Sequence, residues 1–130
     1  MARKFALLGT FFAGIAIALG AFGAHALKSI LPEDSLAIFE TGVRYQFMHS
    51  IAFIILSLYL SKNSNSHSFH KVGYLFGAGI ILFSGSLYVL SFQPLCSFSY
   101  KMIVGPLTPI GGICWMLGWG IWGYQIYKSK

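Results

Sequence analysis

The chain has 130 residues, of which 56% are hydrophobic and only 9% charged, and its mean hydropathy is +0.71. A water-soluble globular domain carries charge on about a quarter of its residues, so this composition excludes one and points to the bilayer as solvent. The net charge of +6 does not indicate nucleic acid, because the cations flank apolar blocks instead of gathering with aromatics on one exposed face.

Arg3 and Lys4 precede the first apolar block, about 5–24. Crossing a hydrocarbon core of about 30 Å takes about 20 residues of helix, and every backbone amide must pair within the segment. This block meets that length. Its end, Ala24-His25-Ala26, has the form of a signal-cleavage site, but a signal's apolar core runs to only about 7–15 residues, so retention as a span is expected rather than cleavage after Ala26. Helices in lipid associate by close approach of small residues. Gly9, Ala13, Ala16, Gly20 and Ala24 follow one another at helical spacing, which stacks them on one face for a neighbour.

Pro32-Glu33-Asp34 reads as a helix start, so the second helix is expected to begin in an interfacial segment ahead of its span, about 43–61. Glu40 and Arg44 lie one turn apart and can pair, as can Tyr45 and His49. Arg44, Gln46 and His49 fall in the outer half of this helix, where polar side chains are costly unless they face protein or water. The polar turn 62–71, with Asn63 and Asn65, ends it.

The third span, about 72–92, carries Gly73 and Gly77 as a GxxxG pair, with Gly85 extending that side. A loop with Gln93, Pro94 and Lys101 leads to the fourth, about 106–127, whose helix is delayed by Pro106 and Pro109. Gly112, Met116, Gly120 and Gly123 define its expected packing face, beside a stripe of Trp115, Trp119 and Trp122 assigned to lipid contact or packing. Tyr124, Tyr127 and Lys128 sit where an interfacial anchor belongs. Cys96 and Cys114 have neither metal-site nor CxxC spacing, so no metal is expected.

Orientation follows from the cations, which accumulate on the cytoplasmic side. Arg3, Lys4, Lys62, Lys71, Lys128 and Lys130 share one side of a four-span chain. Lys28, Arg44 and Lys101 share the other with all three acids, Glu33, Asp34 and Glu40. The expectation is therefore an all-α bundle of four transmembrane helices forming one domain, 1–130, with both termini cytoplasmic. Counting residues along the spans brings His25, Arg44, Gln46, His49, Ser86, Tyr88 and Thr108 toward one polar layer near the outer face. Intramembrane ionisable groups are candidates for function by default, so this layer is the candidate ligand- or partner-binding cluster, with interhelical hydrogen bonding as the purely structural alternative.

Five segments carry a resemblance to a known family: Gly20 to Leu27 (GAFGAHAL), Thr41 to His49 (TGVRYQFMH), Gly85 to Tyr88 (GSLY), Gly105 to Gly112 (GPLTPIGG) and Gly118-Trp119. The chain resembles domain-of-unknown-function family 423, which includes YgdD-like and YwdK-like bacterial inner-membrane proteins and to which eukaryotic transmembrane protein 256 is similar. The resemblance implies a four-helix fold in a bacterial inner membrane with no assigned activity or cofactor. It marks His25, Gln46, His49, Tyr88 and Thr108 as family-like positions without roles.

The residues offer no positioned nucleophile and base, so a non-enzymatic protein is expected, without a cofactor. It would bind membrane lipid, a quinone-like small molecule, or a partner helix or second copy of itself, and no nucleic acid. A transporter or proton-conducting subunit is the alternative, drawn from histidines at membrane depth. A weaker one is haem- or quinone-linked redox chemistry, with His25 and His49 as axial ligands between the first two helices.

Overall fold

A computed structural model describes residues 1–62 and 67–128; Asn63, Asn65 and Lys130 lie outside the described residues. Helix α1 (Ala2–His25) ends in a single 3-10 turn, Leu27–Ser29, before α2 (Glu33–Lys62). Helix α3 (His67–Gly79) passes through one π-helical turn, Ile80–Ser84, into α4 (Gly85–Ser91). A 3-10 turn at Gln93–Leu95 and the short α5 (Lys101–Val104) lead to α6 (Leu107–Lys128). Among the described residues four stretches are long and apolar enough to cross a membrane: Ala2–Ser29, Glu33–Lys62, Phe69–Leu95 and Lys101–Lys128.

Each stretch outruns its expected limits, because an apolar block marks the part that must be buried whereas a helix continues until a breaker stops it. The clearest case is α2, whose 30 residues correspond to about 45 Å of helix. Its interfacial segment is the first turns of the same rod, directly after Pro32. The loop between α4 and α6 is closed by Gln93, whose Nε2 donates to Phe98 O at 2.9 Å while its Oε1 accepts from the Tyr100 N–H at 3.0 Å. Both cysteines are free, Cys96 exposed and Cys114 half-buried.

The chain packs as an antiparallel series, α1 along α2, α2 along the third span, and the third span along α6. The main core lies between α2, α3 and α6 around Phe53, Leu56, Val72, Phe76, Trp115 and Trp122. A smaller cluster of Leu27, Leu31 and Phe39 closes one end. Long apolar side chains, among them Leu7, Phe11, Ile17, Ile81 and Met116, point outward, as a surface facing hydrocarbon requires.

Glycines set the close seams, though several differ from those expected. At Gly9 a Cβ would come within 2.8 Å of Ser50 O, and at Gly73 it would collide with the Phe5 ring. Gly20 and Gly77 make ordinary contacts with Val43 and Phe53, at 3.4 and 3.5 Å, and Gly112 is looser still. Gly85 and Gly120 have nothing within 4 Å of a Cβ, which corrects their assignment to packing faces. On α6 the buried face is Gly111, Gly118, Trp115 and Trp122, one position around from the one expected. Many glycines on α6 leave its rotation open, and burying two large indoles decides it.

Candidate functional site

Gln46 is buried near the middle of α2 and is the hub of a three-helix hydrogen-bond chain. Its Nε2 donates to Phe12 O of α1 at 2.9 Å, and its Oε1 accepts from the Tyr88 hydroxyl of α4 at 2.8 Å. Gly42, one turn before, gives the Tyr88 ring room to reach inward, since a Cβ there would lie 2.8 Å from Tyr88 Cε1. Ser86 and Thr108 share a hydrogen bond of 2.6 Å that ties α4 to α6. In this low-dielectric interior each such bond supplies a partner that water cannot.

The sequence placed seven polar side chains in one outer layer, and the structure separates them. Gln46, Tyr88, Ser86 and Thr108 are turned into the bundle as two bonded pairs. Arg44 lies at their level but is exposed, as is Glu40 one turn away. His25 is exposed at the end of α1 and does not share a level with His49. Gly23 sits opposite Phe39 and Gly9 opposite Ser50, so this antiparallel register sets the two histidines about 13 residues of helix, roughly 20 Å, apart. They cannot ligate one iron between α1 and α2, which corrects the haem geometry. Gln46 and His49 lie near the middle of α2, because the tight turn after α1 starts α2 sixteen residues before His49, whereas Tyr88 and Thr108 lie near the ends of α4 and α6 that face the loop between them.

His49 belongs to a separate, aromatic environment between α2 and α6. Its ring stacks on Trp115 with centroids 3.8 Å apart and an interplanar angle of 5°. Its Nδ1 lies 2.9 Å from Tyr45 O, and the Trp119 indole N–H lies 3.3 Å from its Nε2. A carbonyl can only accept and an indole N–H only donate, so the two neighbours dictate a neutral imidazole protonated at Nδ1. Trp115 reaches this position because Gly79 leaves space for its indole, and its Nε1 donates to Phe76 O at 3.2 Å. The π turn is part of the same architecture. It carries Phe83, whose backbone meets Gly111 so closely that a Cβ would collide, and the Phe83 ring packs on Trp115 and Tyr45.

Helices α2 and α6 are not themselves a closely packed pair; rings bridge the space between them. They leave a recess of about 570 Å³ lined chiefly by Tyr45, His49, Phe83, Gly112, Trp115 and Trp119. The exposed side chains of Met48, Ile113 and Met116 form its mouth on the lipid-facing surface. A hollow of similar volume on α1, at Leu7 to Phe11, is bordered by one helix and has no such convergence of rings and polar atoms. Of the seven expected cluster residues, only His49 borders the recess. Tyr45, Phe83, Trp115 and Trp119 stand outside the polar cluster that the sequence predicts. Their signals were present as the one-turn spacing of Tyr45 and His49 and the helical spacing of the tryptophans, but the inward turn of α6 decides which rings meet. Among the described residues no group of three or more His, Cys, Asp or Glu could hold a metal.

The profile of a family described as Protein of unknown function (DUF423) matches residues 19–112. The membrane protein YwdK of Bacillus subtilis is 38% identical over 117 residues, covering 90% of each chain. A membrane protein of Haemophilus influenzae is 35% identical over 130 residues, covering 100% of this chain and 98% of its own. The inner membrane protein YgdD of Escherichia coli is 32% identical over 122 residues, covering 93% of this chain and 88% of its own. No solved structure matches.

Proposed function

Since the chain belongs to the DUF423 family of membrane proteins, we propose that it is a non-enzymatic binding protein that admits a membrane-soluble small molecule sideways, from the lipid, into the recess between α2 and α6. The observation that carries this reading is the recess itself: a volume typical of small-ligand sites, an aromatic lining, one imidazole in its wall, and a mouth toward hydrocarbon. In this reading the protein resides in a bacterial cytoplasmic membrane with both termini inside, as its cation distribution favours, and a reporter fused to the carboxyl end reads that orientation directly. The Gln46–Tyr88 and Ser86–Thr108 pairs hold the helices that frame the recess. Transport of protons is less well supported, because both nitrogens of His49 are engaged within the protein and closed apolar packing around Phe53, Val72 and Phe76 adjoins it.

Native mass spectrometry of protein released from membrane extracts tests the proposal. Gly112 borders the recess and a Cβ there meets nothing closer than 3.8 Å, so Gly112→Leu should fill the recess without dismantling the bundle. Gly14, where a Cβ would meet nothing within 4 Å, provides the control Gly14→Leu. A discrete small-molecule adduct is expected on the wild type and on Gly14→Leu and lost from Gly112→Leu. Identical spectra for all three, or a wild type carrying only bulk phospholipid, would reject the reading.

A further inference from the structure

The atoms at the recess wall restrict what kind of molecule fits, given the binding reading above, on which this inference rests. Nδ1 of His49 is held by Tyr45 O, a group without a proton to give, so the imidazole proton stays on Nδ1 and Nε2 stays an acceptor. Its present partner is the Trp119 indole N–H at 3.3 Å, a long contact beside the 2.9–3.0 Å or so that N–H···O bonds adopt. Trp119 is 49% exposed at the lipid-facing surface, so the edge that carries its N–H can shift by the small amount needed while its ring keeps its packing on Phe76 and Trp122. The site is thus a donor and an acceptor joined by a weak bond. The group that can enter between them and satisfy both must accept one hydrogen bond and donate another.

We infer that the recess selects a neutral hydroxyl-bearing aromatic lipid, a phenol or hydroquinone, over its carbonyl or ether counterpart, by insertion of the hydroxyl between Trp119 Nε1–H and His49 Nε2. The hydroxyl oxygen accepts from the indole and its proton is donated to the imidazole. A quinone carbonyl or an ether oxygen can satisfy only the indole and would leave Nε2 bare in an apolar recess, where an unpaired polar atom is costly. The rings of Tyr45, Phe83, Trp115 and Trp119 suit a flat head group. The mouth between Met48, Ile113 and Met116 lets an apolar tail remain in the bilayer. None of the side chains bordering the recess carries a formal charge, so a charged head group gains no counter-charge there.

The test uses full-length protein in phospholipid nanodiscs, titrated with para-hexylphenol and with its methyl ether, para-hexylanisole. Nuclear magnetic resonance follows the Trp119 indole N–H and the His49 ring nitrogens, with empty nanodiscs correcting for partitioning. The phenol is expected to bind about tenfold more tightly than the ether, as one satisfied hydrogen bond allows, and to shift both the indole and Nε2 resonances. In His49→Phe the two compounds should bind equally. A phenol-to-ether ratio near or below one in the wild type overturns the inference while leaving the recess a binding site, and that measurement needs no variant to fold. Saturable binding of neither compound overturns the inference, and it is the native mass spectra that then decide whether the recess binds anything.

Discussion

The seam between α1 and α2 and the seam between α2 and α6 join helices of similar apolar character, yet one is closed and the other gapes. Along α1, Gly9, Ala16 and Gly23 are buried against α2, and Gln46 bonds directly to a backbone carbonyl of its neighbour. Along α6, the partner of α2 is a stack of rings, with Trp115 lying flat against both His49 and Tyr45. Small residues let backbones meet and large rings hold them apart. In a bilayer, where apolar burial alone does not draw helices together, this choice of side-chain size determines whether a seam becomes structure or a site.

The contrast can be broken most severely at Gly9. Valine there must displace Ser50 O, which is backbone, so Gly9→Val is expected to cost about 3 kcal/mol, whereas Gly112→Leu on the open seam should cost less than about 1 kcal/mol. Reversible unfolding in bicelles measures both, and equal losses would refute the distinction. A smaller effect belongs to the polar chain. Gln46→Leu leaves the Tyr88 hydroxyl without its partner and Phe12 O with only its intrahelical N–H, and a loss of about 1–2 kcal/mol is expected. Tyr88→Phe should cost about 0.6 kcal/mol, and the double variant should lose less than the sum. Additive losses in that cycle would mean that the two side chains do not interact. The smallest effect compares two buried serines one turn-half apart. Ser86→Ala should lose about 0.6 kcal/mol with its bond to Thr108. Ser84→Ala should be neutral or slightly stabilising, because Ser84 Oγ is buried without a hydrogen-bond partner.

Part of the site is legible in the amino-acid sequence alone. Gln46, Tyr88, Ser86 and Thr108 were recognised because polar side chains inside an apolar span demand partners, but their pairings were not, since these depend on the rotation of each helix. His25 was placed with His49 by counting inward from apolar boundaries that proved several residues short of the true helix ends. The π turn at Ile80–Ser84 had no pattern to announce it, because it arises where Phe83 must meet Gly111 and the helix locally accommodates one extra residue per turn.

Length, apolar blocks, breakers and the distribution of cations determined by themselves that this chain forms four bilayer-length helices, because hydrocarbon tolerates no unpaired backbone. Which faces of those helices meet was decided only in the tertiary structure. Glycine-rich surfaces permit several rotations, and the selection among them came from fitting indoles, phenyl rings and one imidazole into a shared interior. The recess is what remains where rings instead of glycines separate two helices, and it is a property of that fit.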